Sequence, residues 1–303
     1  MTNRPTRATT AGRAYLELRR LARARNRPTA EILQLYALEG FLARLPASPH
    51  AHQLVLKGGV LLAAFDARRP TKDVDLAARD LTNDTETVRA AIQTVLEVDL
   101  DDGFEFEPSA TSAQTIREGD SYSGVRVMVP CRLASAKLNF HVDVNVGDPI
   151  QPAPIAVSIP RLLGGEPLTV TGYPIAMVLA EKIVTALQRG LANTRWRDFA
   201  DIALLSRRHA LGGVELQTAI RTVANHRLVT LQPLREALSG FATTAQPNWT
   251  TWRRRLQLDE HLPESFAEVL DEVIAFADPL MVVTPVDATW SPTRATWSQR
   301  HDA

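Results

Sequence analysis

Apolar residues recur at helical spacing in two segments near the start of the chain, 11–26 and 29–46, and Pro28 separates them. From about residue 52 to 160 the pattern changes to short β-like runs divided by turns. Helical spacing returns after Pro174, a residue that suits the first turn of a helix. These patterns predict an α+β protein, with a mixed-sheet lobe flanked by N-terminal helices and a C-terminal helical lobe.

The middle of the chain contains the candidate strands. Apolar and polar residues alternate in several runs there, and the last two runs are close enough to form an antiparallel pair. The predicted strands are 53–56, Asp73–Ala78, 125–132 and Ala136–Val146, and the predicted helices between them are 60–65 and 85–98. In the C-terminal part the predicted helices are 174–189, 196–208, 214–224 and 264–276.

Proline and glycine cluster between residues 160 and 173, which predicts a boundary between two lobes. The last residues are rich in Pro, Thr and Ser, which predicts a loose tail. The predicted segments are N-terminal helices 1–48, a core 49–165, a C-terminal helical lobe 166–280 and a tail 281–303.

Composition adds limits on location and partners. The 303 residues carry a formal net charge of zero, so no global field draws the protein onto nucleic acid or an anionic membrane. The polar N-terminus lacks the apolar core of a signal peptide, and no apolar run has the roughly 18 residues needed to span a bilayer. We therefore expect a cytoplasmic protein without a membrane partner.

Lysine is rare, since the 34 basic side chains include only Lys57, Lys72, Lys137 and Lys182. The lysine ammonium is a compact charge that suits a phosphate, whereas the arginine guanidinium is planar and carries several hydrogen-bond donors. All four lysines fall in the segments singled out below, which adds weight to those segments.

Residues 57–75, with the sequence KGGVLLAAFDARRPTKDVD, contain the strongest chemical pattern. Gly58-Gly59 lies between a predicted strand and a predicted helix, where the backbone can approach a phosphate and Lys57 can add charge. Asp73 and Asp75 alternate along a strand, so both carboxylates face the same side. Such a pair suits Mg²⁺, although a bare D-x-D is also typical of an exposed sheet face.

A further carboxylate lies on the run 136–146. The apolar positions of this run alternate with polar ones, so that Lys137, His141 and Asp143 share the polar face. His141 fits a polar sheet position better than a ligand, and Asp148, which follows a glycine, is predicted to be a turn residue.

The spacing of the glycine pair and the R-x-T-x-D-x-D run, from Arg69 through Thr71 to Asp75, resembles a known family. The chain is similar to the AbiEii-type toxins, including the MenT-type toxins, of type IV toxin–antitoxin systems. These toxins belong to the polymerase β-like nucleotidyltransferase superfamily. The resemblance covers roughly residues 50–205.

The resemblance implies a nucleotidyltransferase fold, a nucleoside triphosphate substrate and a two-ion Mg²⁺ site completed by Asp143 as the third carboxylate. It also implies roles for Ala180-Glu181-Lys182 and for the run from Arg195 to Asp201. The implied metal ligands are Asp73, Asp75 and Asp143, and the implied catalytic residues are these three with Lys182 and Asp201. The implied nucleotide-binding residues are Lys57, Gly58, Gly59, Arg69, Thr71, Lys72, Lys137 and Asp198.

The residues themselves leave the acceptor of the nucleotide undecided between several classes of molecule. The resemblance implies the 3′ end of tRNA, with inhibition of translation and growth, and a cognate antitoxin encoded nearby. Arg19, Arg23 and Arg27 on one helix face, and the run 253–255, are places where an RNA backbone could rest. The alternatives are adenylylation of a small molecule, nucleotide binding without catalysis, and a structural protein whose D-x-D is plain surface.

Overall fold

The computed structural model describes residues 5–117, 123–281 and 287–299. Its helices are α1 (Thr10–Ala24), α2 (Thr29–Arg44), α3 (Gly58–Leu61), α4 (Thr85–Leu96), α5 (Ile175–Arg189), α6 (Trp196–Ser206), α7 (Gly213–His226), α8 (Leu234–Ala237), α9 (Phe241–Arg255) and α10 (Phe266–Ala277). Its strands are β1 (Leu54–Lys57), β2 (Asp73–Ala78), β3 (Phe104–Phe106), β4 (Ser112–Arg117), β5 (Ser123–Leu133), β6 (Ala136–Val146), β7 (Ile155–Ile159), β8 (Leu168–Gly172), β9 (Leu211–Gly212), β10 (Ala288–Ser291) and β11 (Thr296–Gln299).

The chain divides into two compact units, and the α+β class is confirmed. The first unit comprises residues 1–148 and 154–173, and the second comprises 149–153 and 174–303. Across the residues that the structure describes, every helix is too short or too polar to cross a bilayer.

A mixed sheet forms the centre of the first unit. Its strands lie in the order β3-β5-β6-β2-β1-β8-β7, and β4 pairs with another part of β5. Strand β2 pairs in parallel with β6 and antiparallel with β1. Helices α2 and α4 pack against this sheet. Since α2 buries residues on most of its circumference, it is a core helix rather than a surface helix.

The boundary between the units differs from the predicted one at residue 165. Strands β7 and β8 form an antiparallel hairpin, and β8 also pairs in parallel with β1, so both strands belong to the first unit. Gly164 and Gly165 have positive φ angles of 79° and 90° in the hairpin loop. The glycine and proline cluster therefore marks a turn within the first unit, and the second unit resumes at Pro174.

The second unit is helical, with an aromatic core. Phe199, Phe241, Phe266 and Trp249 are fully buried and contact one another. Helix α9 is not predicted by the apolar pattern, because its sequence is polar on average and contains Pro247.

The prediction of a loose tail is wrong for residues 288–299. These residues form the β10–β11 hairpin, and β10 also pairs with β9. Trp290 is 4% exposed, and its Nε1 donates a 2.7 Å hydrogen bond to the carbonyl of Ser206. Burial of this indole anchors the hairpin. The rest of the predicted tail, 282–286 and 300–303, lies outside the described residues.

Candidate active site

Three carboxylates of the first unit converge because β2 and β6 run in parallel. The register aligns Asp75 with Asp143 and places Asp73 two residues earlier on β2. A carboxylate oxygen from each of the three lies within 4.8 Å of the others. Oxygen ligands at this spacing suit a hard divalent cation such as Mg²⁺. The structure thus brings together the three predicted metal ligands.

The carboxylate cluster is electrostatically strained. Burial, together with the negative charges of Asp73 and Asp143, raises the pKa of Asp75 to about 6, and Lys57 opposes the shift. Like charges that share a site disfavour ionisation of one of them. A cation bound among the three carboxylates would remove this penalty.

The glycine pair allows the backbone to approach the cluster. Gly58 has a φ angle of +68°, and a Cβ atom there would lie 1.9 Å from Oδ2 of Asp75. The N–H of Gly59 points to the same oxygen at 3.4 Å. A side chain at residue 58 would occupy the space of the Asp75 carboxylate, so the glycine is required by this contact.

The loop before β2 supports the cluster from the other side. The Thr71 hydroxyl donates a 2.6 Å hydrogen bond to Oδ1 of Asp73. A Cβ on Gly59 would lie 2.8 Å from the Thr71 Oγ1 and 3.4 Å from a guanidinium nitrogen of Arg69. Arg69 and Thr71 therefore lie beside the glycine pair, as predicted for nucleotide-binding residues. Lys72 is exposed, and its carbonyl accepts from the Gln34 amide at 3.3 Å.

Lys57 is held beneath the cluster by an ion pair that the sequence did not indicate. Its Nζ lies 3.1 Å from Oδ2 of Asp148, and both side chains are less than a tenth exposed. The same ammonium lies 5.5 Å from the ring centroid of Tyr173. Asp148 does follow a turn at Gly147, but its carboxylate points inward to Lys57. Lys57 is thus a buried positive charge adjacent to Asp75, which is its register partner on β2.

Arg126 is a site residue that the sequence analysis missed. It lies opposite Asp143 in the β5–β6 register, and its Nε and Nη2 donate to the two oxygens of Asp143 at 2.7 and 2.6 Å. The hydrogen bond to Asp143 raises the pKa of the guanidinium, and Asp73 and Asp75 act in the same direction. No motif marks this arginine, because only the strand register reveals its partner.

Lys137, predicted to bind nucleotide, is not brought to the carboxylate cluster. It shares a face with Asp143 but lies six residues away on β6, a separation of about 20 Å along a strand. Its register partner is Arg132, next to the turn between β5 and β6, and its side chain is exposed. Alternation along a strand shows which side chains share a face, but it does not show that they lie close together.

A second charged cluster lies in the second unit, between α5 and α6. The Nζ of Lys182 donates to Asp201 at 2.7 Å and to Asp198 at 3.1 Å. The Nε of Arg195 donates to the other oxygen of Asp198 at 2.6 Å. Burial raises the pKa of Asp198, but Lys182 and Arg195 outweigh it and hold the pKa below its usual range. Asp198 is 2% exposed, and it holds both Lys182 and Arg195 in place.

The arginines that were candidates for RNA contact differ in their exposure and in the contacts that they make within the protein. Arg27 forms an ion pair with Glu31 at 2.7 Å, Arg19 lies 5.9 Å from the ring centroid of Tyr15, and Arg23 is exposed. Arg253 is 8% exposed and donates to the carbonyl of Leu262 at 2.8 Å, so it stabilises the fold.

A family model described as the nucleotidyl transferase AbiEii toxin of type IV toxin–antitoxin systems matches residues 40–272. The chain belongs to the AbiEii family of nucleotidyltransferase toxins. The resemblance seen in the glycine and D-x-D motifs is confirmed, and the protein is a nucleotidyltransferase. A search among curated proteins found no match.

The fold is similar to that of a solved toxin structure. The chain is similar to MenT4, a nucleotidyltransferase toxin from Mycobacterium tuberculosis H37Rv, with a TM-score of 0.56 at 17% identity over 93% of this chain and 92% of that chain. A putative nucleotidyltransferase from H. pylori has a TM-score of 0.47 at 14% identity over 82% and 94% of the two chains. JHP933 from Helicobacter pylori has a TM-score of 0.46 at 14% identity over 88% and 92%.

Replacement of Gly58 by alanine tests the close approach of the backbone to Asp75. The Cβ would displace the Asp75 carboxylate, so we expect Gly58→Ala to weaken Mg²⁺-dependent nucleotide binding by about tenfold or more. Gly164→Ala is the matched control, since Gly164 has a similar φ of +79° with nothing within 4 Å of its Cβ. Fluorescence polarisation with a labelled nucleoside triphosphate measures both. Equal binding by the two variants would contradict the assigned role of Gly58.

Replacement of Asp75 by asparagine tests the strain in the cluster. The folded-state pKa of about 6 lies above the ordinary 3.8, so the ionised carboxylate destabilises the metal-free fold at pH 7. That cost is absent below pH ~4 and develops as the pH rises through ~6. We expect Asp75→Asn to raise the free energy of unfolding by about 1–3 kcal/mol at pH 7 without metal, and not at pH 4.

Chemical denaturation in the presence of a chelator measures this difference at both pH values. Added Mg²⁺ should stabilise the wild-type protein at pH 7 more than the Asp75→Asn variant. A variant that is less stable than the wild type at pH 7, or equally stabilised at pH 4, would show that the cluster is not strained by charge.

Proposed function

We propose that this protein transfers a nucleotide from a nucleoside triphosphate to the 3′ end of tRNA in a Mg²⁺-dependent reaction that releases pyrophosphate. The observation that carries the proposal is the convergence of Asp73, Asp75 and Asp143 beside the glycine pair. Modification of the tRNA 3′ end would block aminoacylation and arrest translation and growth. The reaction belongs in the cytoplasm, where both substrates are found.

The residues of the cluster fit Mg²⁺. Three carboxylate oxygens within 4.8 Å supply hard ligands, and the raised pKa of Asp75 marks a site that favours added positive charge. Asp73 and Asp75 would hold the ion that meets the triphosphate, and Asp143 would share a second ion. When bound, Mg²⁺ supplies charge neutralisation at the triphosphate and lowers the pKa of the attacking hydroxyl.

The remaining residues of the first unit orient the reactants. Gly58 and Gly59 let the backbone lie close to the phosphates, and Thr71 fixes Asp73 through its 2.6 Å hydrogen bond. Arg126 holds both oxygens of Asp143, so it orients the carboxylate that would accept the proton of the acceptor hydroxyl. Lys57 reduces the net negative charge of the carboxylate cluster.

In the second unit we propose catalytic roles for Lys182, as a positive charge for the substrate, and for Asp201, which orients the Lys182 ammonium. The ammonium is 8% exposed and held by two carboxylates, so its position is fixed before any substrate binds. Phosphoryl transfer depends mainly on such positioning and charge neutralisation. The type IV toxin–antitoxin family also implies a cognate antitoxin, which we expect to be encoded nearby.

A labelling assay tests the proposed reaction. Purified protein is incubated with Mg²⁺, total tRNA and each α-labelled nucleoside triphosphate in turn. We expect label on tRNA with the wild type, and a loss of about 100-fold or more with Asp73→Ala, because ligand loss removes several kcal/mol of charge stabilisation. Lys182→Ala and Asp201→Ala should also lower the labelling, and circular dichroism of each variant separates a loss of activity from a loss of folding, since each removes one partner of a buried ion pair.

Asp80→Asn is the matched control, because this exposed carboxylate lies two residues beyond β2 and outside the cluster. It should label tRNA like the wild type. Label on a small molecule but not on tRNA would overturn the acceptor and favour the drug-adenylylating alternative. Full activity of Asp73→Ala would overturn the assignment of the cluster.

A further inference from the structure

The second unit carries an open cleft of about 410 Å³ that the proposed reaction does not use. It lies between the start of α6 and the second half of α9. Its lining residues are Thr194, Arg195, Trp196, Arg197, Asn248, Thr251, Trp252 and Arg255. The volume is in the range of sites that bind small organic groups.

The charge of the cleft is of one sign. Among the described residues, three arginines and no carboxylate line it, in a protein whose formal net charge is zero. Arg197 and Arg255 are exposed, whereas Arg195 is half-buried and its Nε is bonded to Asp198. A local concentration of arginine in a neutral protein favours an anionic ligand at this place rather than over the whole surface.

Two tryptophans give the cleft flat apolar surfaces that are fixed in advance. The ring of Trp252 stacks on the buried Trp249 with centroids 5.3 Å apart and planes 29° apart. The ring of Trp196 stacks on the buried Phe241 at 5.9 Å and 17°. Each indole is half-buried, so each packs on the core and also lines the cleft. Little side-chain entropy would be lost when a ligand stacks on them.

Arginine and tryptophan side chains together are typical of surfaces that bind single-stranded nucleic acid. Guanidinium groups contact phosphates, and every base can stack on an indole. A simple anion would not need the tryptophans, and a neutral apolar ligand would not need the arginines. Unpaired RNA satisfies both sets of groups at once.

We propose that this cleft binds an unpaired segment of the RNA acceptor, with bases stacked on Trp252 and Trp196 and phosphates at Arg197 and Arg255. The identity of the RNA as the acceptor rests on the proposed function, whereas the binding itself does not. Arg195 links the cleft to the Lys182 cluster, since it lines the cleft and donates to Asp198. RNA in the cleft would therefore lie next to the residues that hold Lys182.

Fluorescence anisotropy of a labelled single-stranded RNA of about 12 nucleotides tests the cleft directly. The measurements use the full-length Asp73→Ala chain without Mg²⁺ or nucleoside triphosphate, so that no transfer occurs. We expect Trp252→Ala to weaken binding by about tenfold, and Trp252→Phe to retain most of it, because a phenyl ring also stacks. Circular dichroism confirms that each variant is folded.

Charge is tested by two reversals on the same helix. Arg255→Glu should weaken RNA binding by about tenfold or more and reduce its salt dependence, because it removes a phosphate contact. Arg254→Glu is the matched control, since Arg254 is exposed on α9 but does not line the cleft. Equal losses for the two reversals, or unchanged binding by Trp252→Ala, would overturn the proposal.

A competition arm separates RNA from free nucleotide. Excess mononucleoside triphosphate should leave the RNA bound, and its displacement of RNA at equal affinity would reassign the cleft to a nucleotide. The cleft and the proposed function can fail separately. RNA binding that depends on Trp252, without transfer to tRNA, would retain the cleft and reject the acceptor. Transfer to tRNA that is unaffected in Trp252→Ala and Arg255→Glu would retain the enzyme and reject the cleft.

Discussion

Parallel pairing of β2 with β6 forces three aspartates into a volume in which their charges repel. The register fixes Asp75 beside Asp143, so the repulsion cannot be relieved by a change of rotamer alone. Two positive charges partly balance the three carboxylates: Arg126 on β5, which pairs with β6, and Lys57 on β1, which pairs with β2. This compensation is partial, as the raised pKa of Asp75 shows. A site that is incompletely neutralised by its own protein would favour an added cation, as the proposed reaction requires.

The cluster of the second unit follows the opposite principle. Lys182 and Arg195 are matched by Asp198 and Asp201, so the four charges sum to zero and the carboxylate of Asp198 is strongly stabilised in its ionised form. Removal of one partner would leave an uncompensated buried charge, which is costly. The first cluster is therefore built to acquire charge from a ligand, whereas the second is built to keep its side chains in place.

The sequence predicted the residues that act through a local pattern. The bounds of β2 and β6 and the convergence of Asp73, Asp75 and Asp143 follow from alternation and from the family motif. Residues that act through long-range pairing were missed or misplaced. Arg126 and Asp148 have partners that only the strand register and the chain path define, and Lys137 shares the face of the site but not its position. The C-terminal hairpin was missed because its stability comes from burial of Trp290, which is a tertiary effect.

We propose that the three aspartates of the first unit form the cation site of the enzyme. A crystal of the protein grown with Mn²⁺ and a non-hydrolysable nucleoside triphosphate, measured at a wavelength where Mn²⁺ scatters anomalously, tests this most directly. We expect an anomalous peak in contact with Asp73 and Asp75, beside the glycine pair and the phosphates. A bound nucleotide with its Mn²⁺ at another place, and no peak among these carboxylates, would contradict it.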